Sequence, residues 1–375
     1  MKKAGIAALF ALFLILMFPL NAAAEEQSSD ELIENSGIYE AAEQLEKENR
    51  DFLATAGLEE VSAQALYNLD FRAILQAVGR QISLSFREQL RAFLAMIAAV
   101  FVCALADSFA KGARRVDTSK MVAAACCLFL SGVCMVPLSQ TLSVLGAAVE
   151  SAAGFTATGV PILCTILAAQ GKTLSAAAFN GAAVVMGQVM TTLFSAFFMP
   201  LVQVLLAVGF ISSVSGESGL EPLVTQVRKY LLIALSASAG LYFSVLGLKA
   251  KAGAVADESA LKAVKLAAGN FLPVIGSALS DSAGVVVSSL ALSKTVIGGF
   301  GMAAIVAIFL PVIVQSVLWY LCLETAAFAA GFFSLNSALK VLKNLSAAVS
   351  VLAIIVIFCT LVFLLNFGLI IGSGG

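Results

Sequence analysis

Long apolar runs, separated by short polar interruptions, fill this chain from about Ala92 onward. A helix needs about 20 apolar residues to cross a bilayer. Ala92 to Ala110 meets that need and is followed by a basic loop carrying Lys111, Arg114, Arg115 and Lys120. Met121 to about Val149 is the next run, with Pro137 as a kink and Glu150 at its end. Lys and Arg accumulate in cytoplasmic loops, so the basic loop is expected inside and Glu150 outside. The whole pattern predicts an all-α polytopic membrane protein with about seven to eight spans, some of them broken by Pro and Gly.

The pattern before Ala92 is different. "MKKAGIAALFALFLILMFPLNAAAEEQ" holds two Lys, an apolar run and Ala22-Ala23-Ala24. This reads as a signal peptide over residues 1–24. The alternative is an uncleaved first anchor, because the run approaches spanning length. Both readings place Glu25 onward outside the cytoplasm. Residues 25–91 form an extracytoplasmic segment, acidic at first. Its second part places Phe71, Ile74, Leu75, Val78, Ile82 and Phe86 at helical spacing, with Arg72, Arg80, Arg87 and Glu88 off the stripe. That is an amphipathic helix, lying on the bilayer, on a partner, or on the membrane domain.

Composition narrows the function classes. Only 12% of residues are charged and 60% are hydrophobic, against about 25% charged in soluble domains. Mean hydropathy is +0.99. The net charge of −1 supplies no field that would draw nucleic acid. The sequence contains no His, which removes His-ligated zinc, His general bases and a Ser-His-Asp triad. The seven Cys lie in apolar runs without a CxxC pair, as small buried hydrophobes do. No nucleotide-binding loop is present. No catalytic pair, metal or cofactor is expected.

Two stretches resemble one another. "VPILCTILAAQGKTLSAAA" from Val160 matches "LPVIGSALSDSAGVVVSSL" from Leu272, pairing Pro161 with Pro273. The surroundings of Pro200 match those of Pro311, and the surroundings of Lys229 match those of Lys343. The separation is nearly the same each time, which points to an internal duplication. Chance similarity of apolar sequence is the alternative. The division then reads 92–150 as a two-span hairpin, 151–262 as one membrane repeat and 263–375 as the other. Three crossings per repeat would make them inverted, whereas splitting Leu174 to Ser212 into two spans would make them parallel.

Irregular backbone survives in a bilayer only when buried in protein or lining water, and broken helices at matching positions mark the midplane site of many transporters. The candidate polar, broken-helix residues are therefore Asn270, Pro273, Gly276, Ser280, Asp281 and Lys294 in the second unit, with Pro161, Gly171 and Lys172 in the first. The plainer reading places Asp281 and Lys294 in a solvated turn or at a membrane interface.

The stretch "GNFLPVIGSALSDSAG", with basic residues before it and "LSKTVIGGFG" after it, resembles the stage III sporulation protein AE family of endospore-forming bacteria. The likeness extends to the signal-like start, the acidic outer segment and "GVPILCTILAAQG" near the middle. Where the family's usual form is LLKNAVG this chain has LSKTVIG, so Thr295 stands in place of Asn. The resemblance implies a mother-cell membrane protein, made with other stage III sporulation operon proteins. Together these would form a channel-like or secretion-like complex spanning the membranes between mother cell and forespore, needed for late forespore development. It also implies a separate ATPase subunit as partner, beside membrane lipid. From the residues themselves, two alternatives stand: an autonomous permease with its substrate site at the interface of two repeats, and an assembly scaffold whose Gly, Ala and Ser serve close helix contact.

Overall fold

In the computed structural model the described residues are chiefly 47–55, 71–112, 116–214, 224–242 and 276–372, with the backbone alone described for 276–289. Among them the chain is all-α. The elements are α1 (Lys47–Thr55), α2 (Phe71–Gly112), α3 (Val116–Ala169), α4 (Thr173–Leu193), a π turn (Phe194–Phe198), α5 (Met199–Val214), α6 (224–242), α7 (Gly276–Phe332) and α8 (Asn336–Gly372). Among the described residues, five stretches are long and apolar enough to cross a membrane, within α2, α3, α4–α5, α7 and α8.

The centre is the antiparallel hairpin α7–α8. Glu324 meets Ser346 near its tip, Phe309 stacks on Phe363 farther along, and Gly298 faces Ile371 at the far end. This hairpin forms the inner layer. In its most apolar windows 83% and 78% of residues are buried, against 22–33% in α2, α3 and α4–α5. Those outer helices keep their apolar faces turned outward, as membrane helices do when lipid is the solvent.

Close packing holds the hairpin's open end. A Cβ on Gly301 would fall under 3.0 Å from the ring of Phe367, which is fully buried and also touches Phe155 with centroids 5.7 Å apart. Only a residue without Cβ leaves room for that ring. Leu163 of α3 reaches the same level, beside Gly298.

The other neighbours fix the directions. Phe198 packs on Phe358 and Gly209 lies against Asn344, so α4–α5 runs antiparallel to α8. Arg228 meets Ser350 and Tyr242 meets Asn366, so α6 runs parallel to α8. Helix α2 runs antiparallel to α3, through Cys103 with Cys126 and Met96 with Cys134, and touches α7 through Gln89 and the α7–α8 turn through Phe101, which meets Phe333.

Several expectations change here. Helix α3 passes Glu150 without interruption and fuses two predicted spans, so the division between 150 and 151 falls inside one helix. Val149-Glu150-Ser151-Ala152 contains nothing that ends a helix, and Glu is a good helix former. Likewise α2 continues through Arg91 into the first predicted span. Pro137 and Pro161 lie inside α3, and Pro311 lies inside α7. Each Pro removes one backbone bond, and packing carries the helix past it. Of the broken segment expected over Asn270 to Lys294, the part from Gly276 onward is continuous helix in α7, and the part before it lies outside the described residues. The fusions leave fewer and longer rods than the sequence pattern predicts.

Leu174 to Ser212 passes in one direction rather than turning back. Pro200 has no N–H for the carbonyl of Ala196. The helix absorbs this just before the proline in a π turn, where the Met199 N–H reaches back to the Phe194 carbonyl. The helices around Pro200 and Pro311 therefore both run antiparallel to α8, while α6, with Lys229, runs along α8, with Lys343. These two pairs of matching helices point the same way. The first matched stretch does not follow suit: 160–169 ends α3, which runs along α8, whereas 276–290 lies in α7, which runs against it.

Candidate functional site

Two polar features interrupt the apolar bundle. The first is a seam of interhelical contacts along α8. Asn344 donates from Nδ2 to the Gly209 carbonyl at 3.4 Å, and the Ser346 hydroxyl donates to Glu324 Oε1 at 2.5 Å. One turn on, Arg228 donates from Nη2 to Ser350 Oγ at 3.2 Å. Nearer the C-terminus, the Tyr242 hydroxyl donates to Asn366 Oδ1 at 2.9 Å, leaving the buried Asn366 Nδ2 with no partner among the described residues. Ionisable groups at membrane depth face the protein interior and mark function by default, and Glu324 and Arg228 both do so here. Sequence reasoning missed Glu324, Tyr242 and Asn366. The available signal was the lone acid in "LWYLCLETAAFAA".

The second feature lies at the far end of the bundle. Helix α3 ends in a Schellman turn. Gly171 has φ +84°, its N–H donates to the Ala168 carbonyl, and the Lys172 N–H donates to the Leu167 carbonyl. Lys172 is then the N-cap of α4, with no side-chain cap bond there. Across from this turn stands Lys294 of α7, only 2% exposed. Gly298, one turn along the same face, meets Leu163 of α3, which brings Lys294 level with the α3–α4 turn. The two ammonium groups are close enough to repel one another. No carboxylate among the described residues pairs with Lys294. Gln170 Nε2 in the same turn is buried without a hydrogen-bond partner among those residues.

The structure thus joins Gly171, Lys172 and Lys294 from the predicted set. Pro161 stands two turns before that end, inside α3. Gly276, Ser280 and Asp281 belong to the first turns of α7. Asp281 precedes Lys294 by thirteen residues of unbroken helix, a rise of roughly 20 Å, so the two do not form a local pair. Asn270 and Pro273 lie outside the described residues.

These features define a class: a polytopic, all-α membrane protein built around one buried hairpin, with ionisable groups inside. The family model for stage III sporulation protein AE matches residues 57–374, and the chain belongs to that family. It is similar to the stage III sporulation protein AE of Bacillus subtilis (strain 168), with 26% identity over 161 residues. That alignment spans 43% of this chain and 40% of the relative. No solved structure matches the chain.

Proposed function

We propose that this chain is an integral membrane subunit of a sporulation complex that joins mother cell and forespore as a channel or secretion-like assembly. In this reading it sits in the mother-cell membrane around the forespore, beside other stage III proteins and a separate ATPase. It carries no catalysis itself.

The observation that supports a subunit over a self-sufficient permease is the length of the apolar rods. The apolar part of α3 runs for 49 residues and α8 for 37, about 74 Å and 55 Å at about 1.5 Å per residue. A hydrocarbon core of about 30 Å, crossed at a tilt of 40°, takes up only about 39 Å. Large side chains are nonetheless exposed at both ends: Phe109, Phe328 and Phe332 at one, Leu174, Leu241 and Leu248 at the other. One bilayer cannot cover both sets, and apolar surface of that extent outside lipid calls for protein.

Photo-crosslinking tests this. A benzoylphenylalanine at Phe328 or at Leu248, in sporulating cells, should capture another sporulation protein from at least one end. Capture of lipid alone from both ends, together with solute movement by the purified chain in liposomes, would favour the permease.

A further inference from the structure

We infer that the bilayer holds only the half of the bundle nearer the α7–α8 turn, and that the other half, from Gln140 of α3 to the α3–α4 turn, stands outside lipid. Lipid contact is decided by the bundle itself, whether or not the chain works in the assembly proposed above.

One level across the bundle collects the residues that mark a membrane surface. Gln89 of α2 donates to the Gln315 carbonyl of α7 at 3.3 Å. Little more than one turn along α7 comes Tyr320, which the pairings of Glu324 with Ser346 and Phe309 with Phe363 set level with Ser350 of α8. Arg228 meets Ser350, so Lys229 and Tyr230, both exposed, share that level. On α5, Gln203 falls there too, between Phe198 beside Phe358 and Gly209 beside Asn344. Gly146 faces Phe194 and Met199, which puts Gln140 of α3 opposite Gln203; both glutamines are exposed. Tyr gathers where hydrocarbon meets water, and Lys near a helix end reaches that interface. Pro137 lies one turn before Gln140, and Pro200 one turn before Gln203. Water at a surface can meet the carbonyl that a proline leaves unbonded.

The exposed faces change at that level. On the side of the α7–α8 turn, α3 exposes Met121, Leu128, Phe129, Met135 and Val136, and α2 exposes Leu94, Val102, Leu105 and Phe109. Such faces suit lipid. The apolar stretch of α2, Gln89–Gly112, has 24 residues, about 36 Å of helix, which a tilt fits to a hydrocarbon core of about 30 Å. It ends at the basic Lys111, as the cytoplasmic edge of a span does. Beyond Gln140, Val144 is the one large apolar side chain that α3 exposes among the described residues, and Ser143, Ala147, Glu150 and Gly154 stand exposed around it. Glu150 lies roughly 15 Å past Gln140 along the helix. An ionisable residue within a bilayer is almost always turned away from lipid, so an exposed Glu150 argues against lipid there. Helix α4, wholly beyond the same level, mixes exposed Asn180, Gln188 and Thr192 with Val185 and Val189, as surfaces outside membranes do.

Tryptophan quenching in the full chain tests this. Liposomes are made from phosphatidylcholine brominated in mid-chain, because bromine there quenches only an indole that meets the hydrocarbon. Trp319→Phe removes the single native Trp, so that one introduced Trp reports. Phe129→Trp should lose most of its emission relative to unbrominated lipid, and Ala147→Trp should lose none. Quenching of Ala147→Trp as deep as that of Phe129→Trp would overturn the inference. Should these variants fail to fold, the unaltered chain gives the same answer. An aryl diazirine dissolved in the hydrocarbon should label peptides from Met121 to Val136 on photolysis and spare those from Ser143 to Thr165. Equal labelling of the two stretches would again place both in lipid and overturn it.

Discussion

Replacing Gly301 by Ala tests the packing on which the central hairpin depends. The new methyl would press into the Phe367 ring, which has no free space to move into because it is fully buried and also faces Phe155 and Gly159. Overpacking of this kind costs about 1–3 kcal/mol. Phe367→Ala removes roughly 100 Å³ of side chain, and at about 24 cal/mol per Å³ the cavity costs about 2.4 kcal/mol. The water-transfer part of the usual penalty is missing, since lipid is as apolar as the core. Independent effects would sum to about 3.4–5.4 kcal/mol. The double variant should cost only about 2 kcal/mol, because the clash disappears and the added methyl occupies part of the void. The expected coupling is thus about 1.4–3.4 kcal/mol. Unfolding by SDS in mixed micelles can be followed through Trp319, the single Trp, which is buried in α7. If the two changes add within about 0.5 kcal/mol, Gly301 and Phe367 are not in contact and the hairpin register is wrong.

Three further outcomes follow from the same geometry. Ser334 has φ +56° in the α7–α8 turn, so Ser334→Gly should stabilise the chain by about 0.5–1 kcal/mol in the same unfolding assay. Ser346→Ala should cost about 0.6 kcal/mol, the average for an interhelical hydrogen bond in a membrane protein, while Glu324→Gln keeps the acceptor and should cost less. Cys103 and Cys126 each approach the other's carbonyl, at 3.8 and 3.9 Å. A membrane-permeant oxidant should therefore link α2 to α3 through that pair, and peptide mapping that finds Cys103 joined to Cys134 would contradict the register.

Much of the architecture was legible in the order of residues. The apolar runs gave the rods, and Gly171 beside Lys172 marked a true turn because only a residue tolerant of positive φ ends α3 there. The resemblance carried by Lys265 to Gly301 led to the family that the comparison shows. The errors came from punctuation that did not punctuate. Glu150 looked like a loop and Pro161 like a break, yet each lies inside α3: Glu is a good helix former, and a Pro removes only one backbone bond. Most of the polar seam was not legible, since it joins residues more than a hundred positions apart: Arg228 with Ser350, and Tyr242 with Asn366. No local pattern encodes such pairs. Only the relative register of α6 and α8 brings them together.

The turn between α7 and α8 is only three residues long, Phe333 to Leu335, and its N–H groups are already tied to the carbonyls of Ala329, Gly331 and Ala330. So short a link holds the adjoining ends of the two most buried helices at one depth, which keeps the Glu324 carboxylate within reach of Ser346. For the experimenter, that tip offers a protease or an antibody almost nothing to hold, and an epitope tag inserted there would act first on biogenesis and only afterwards on function.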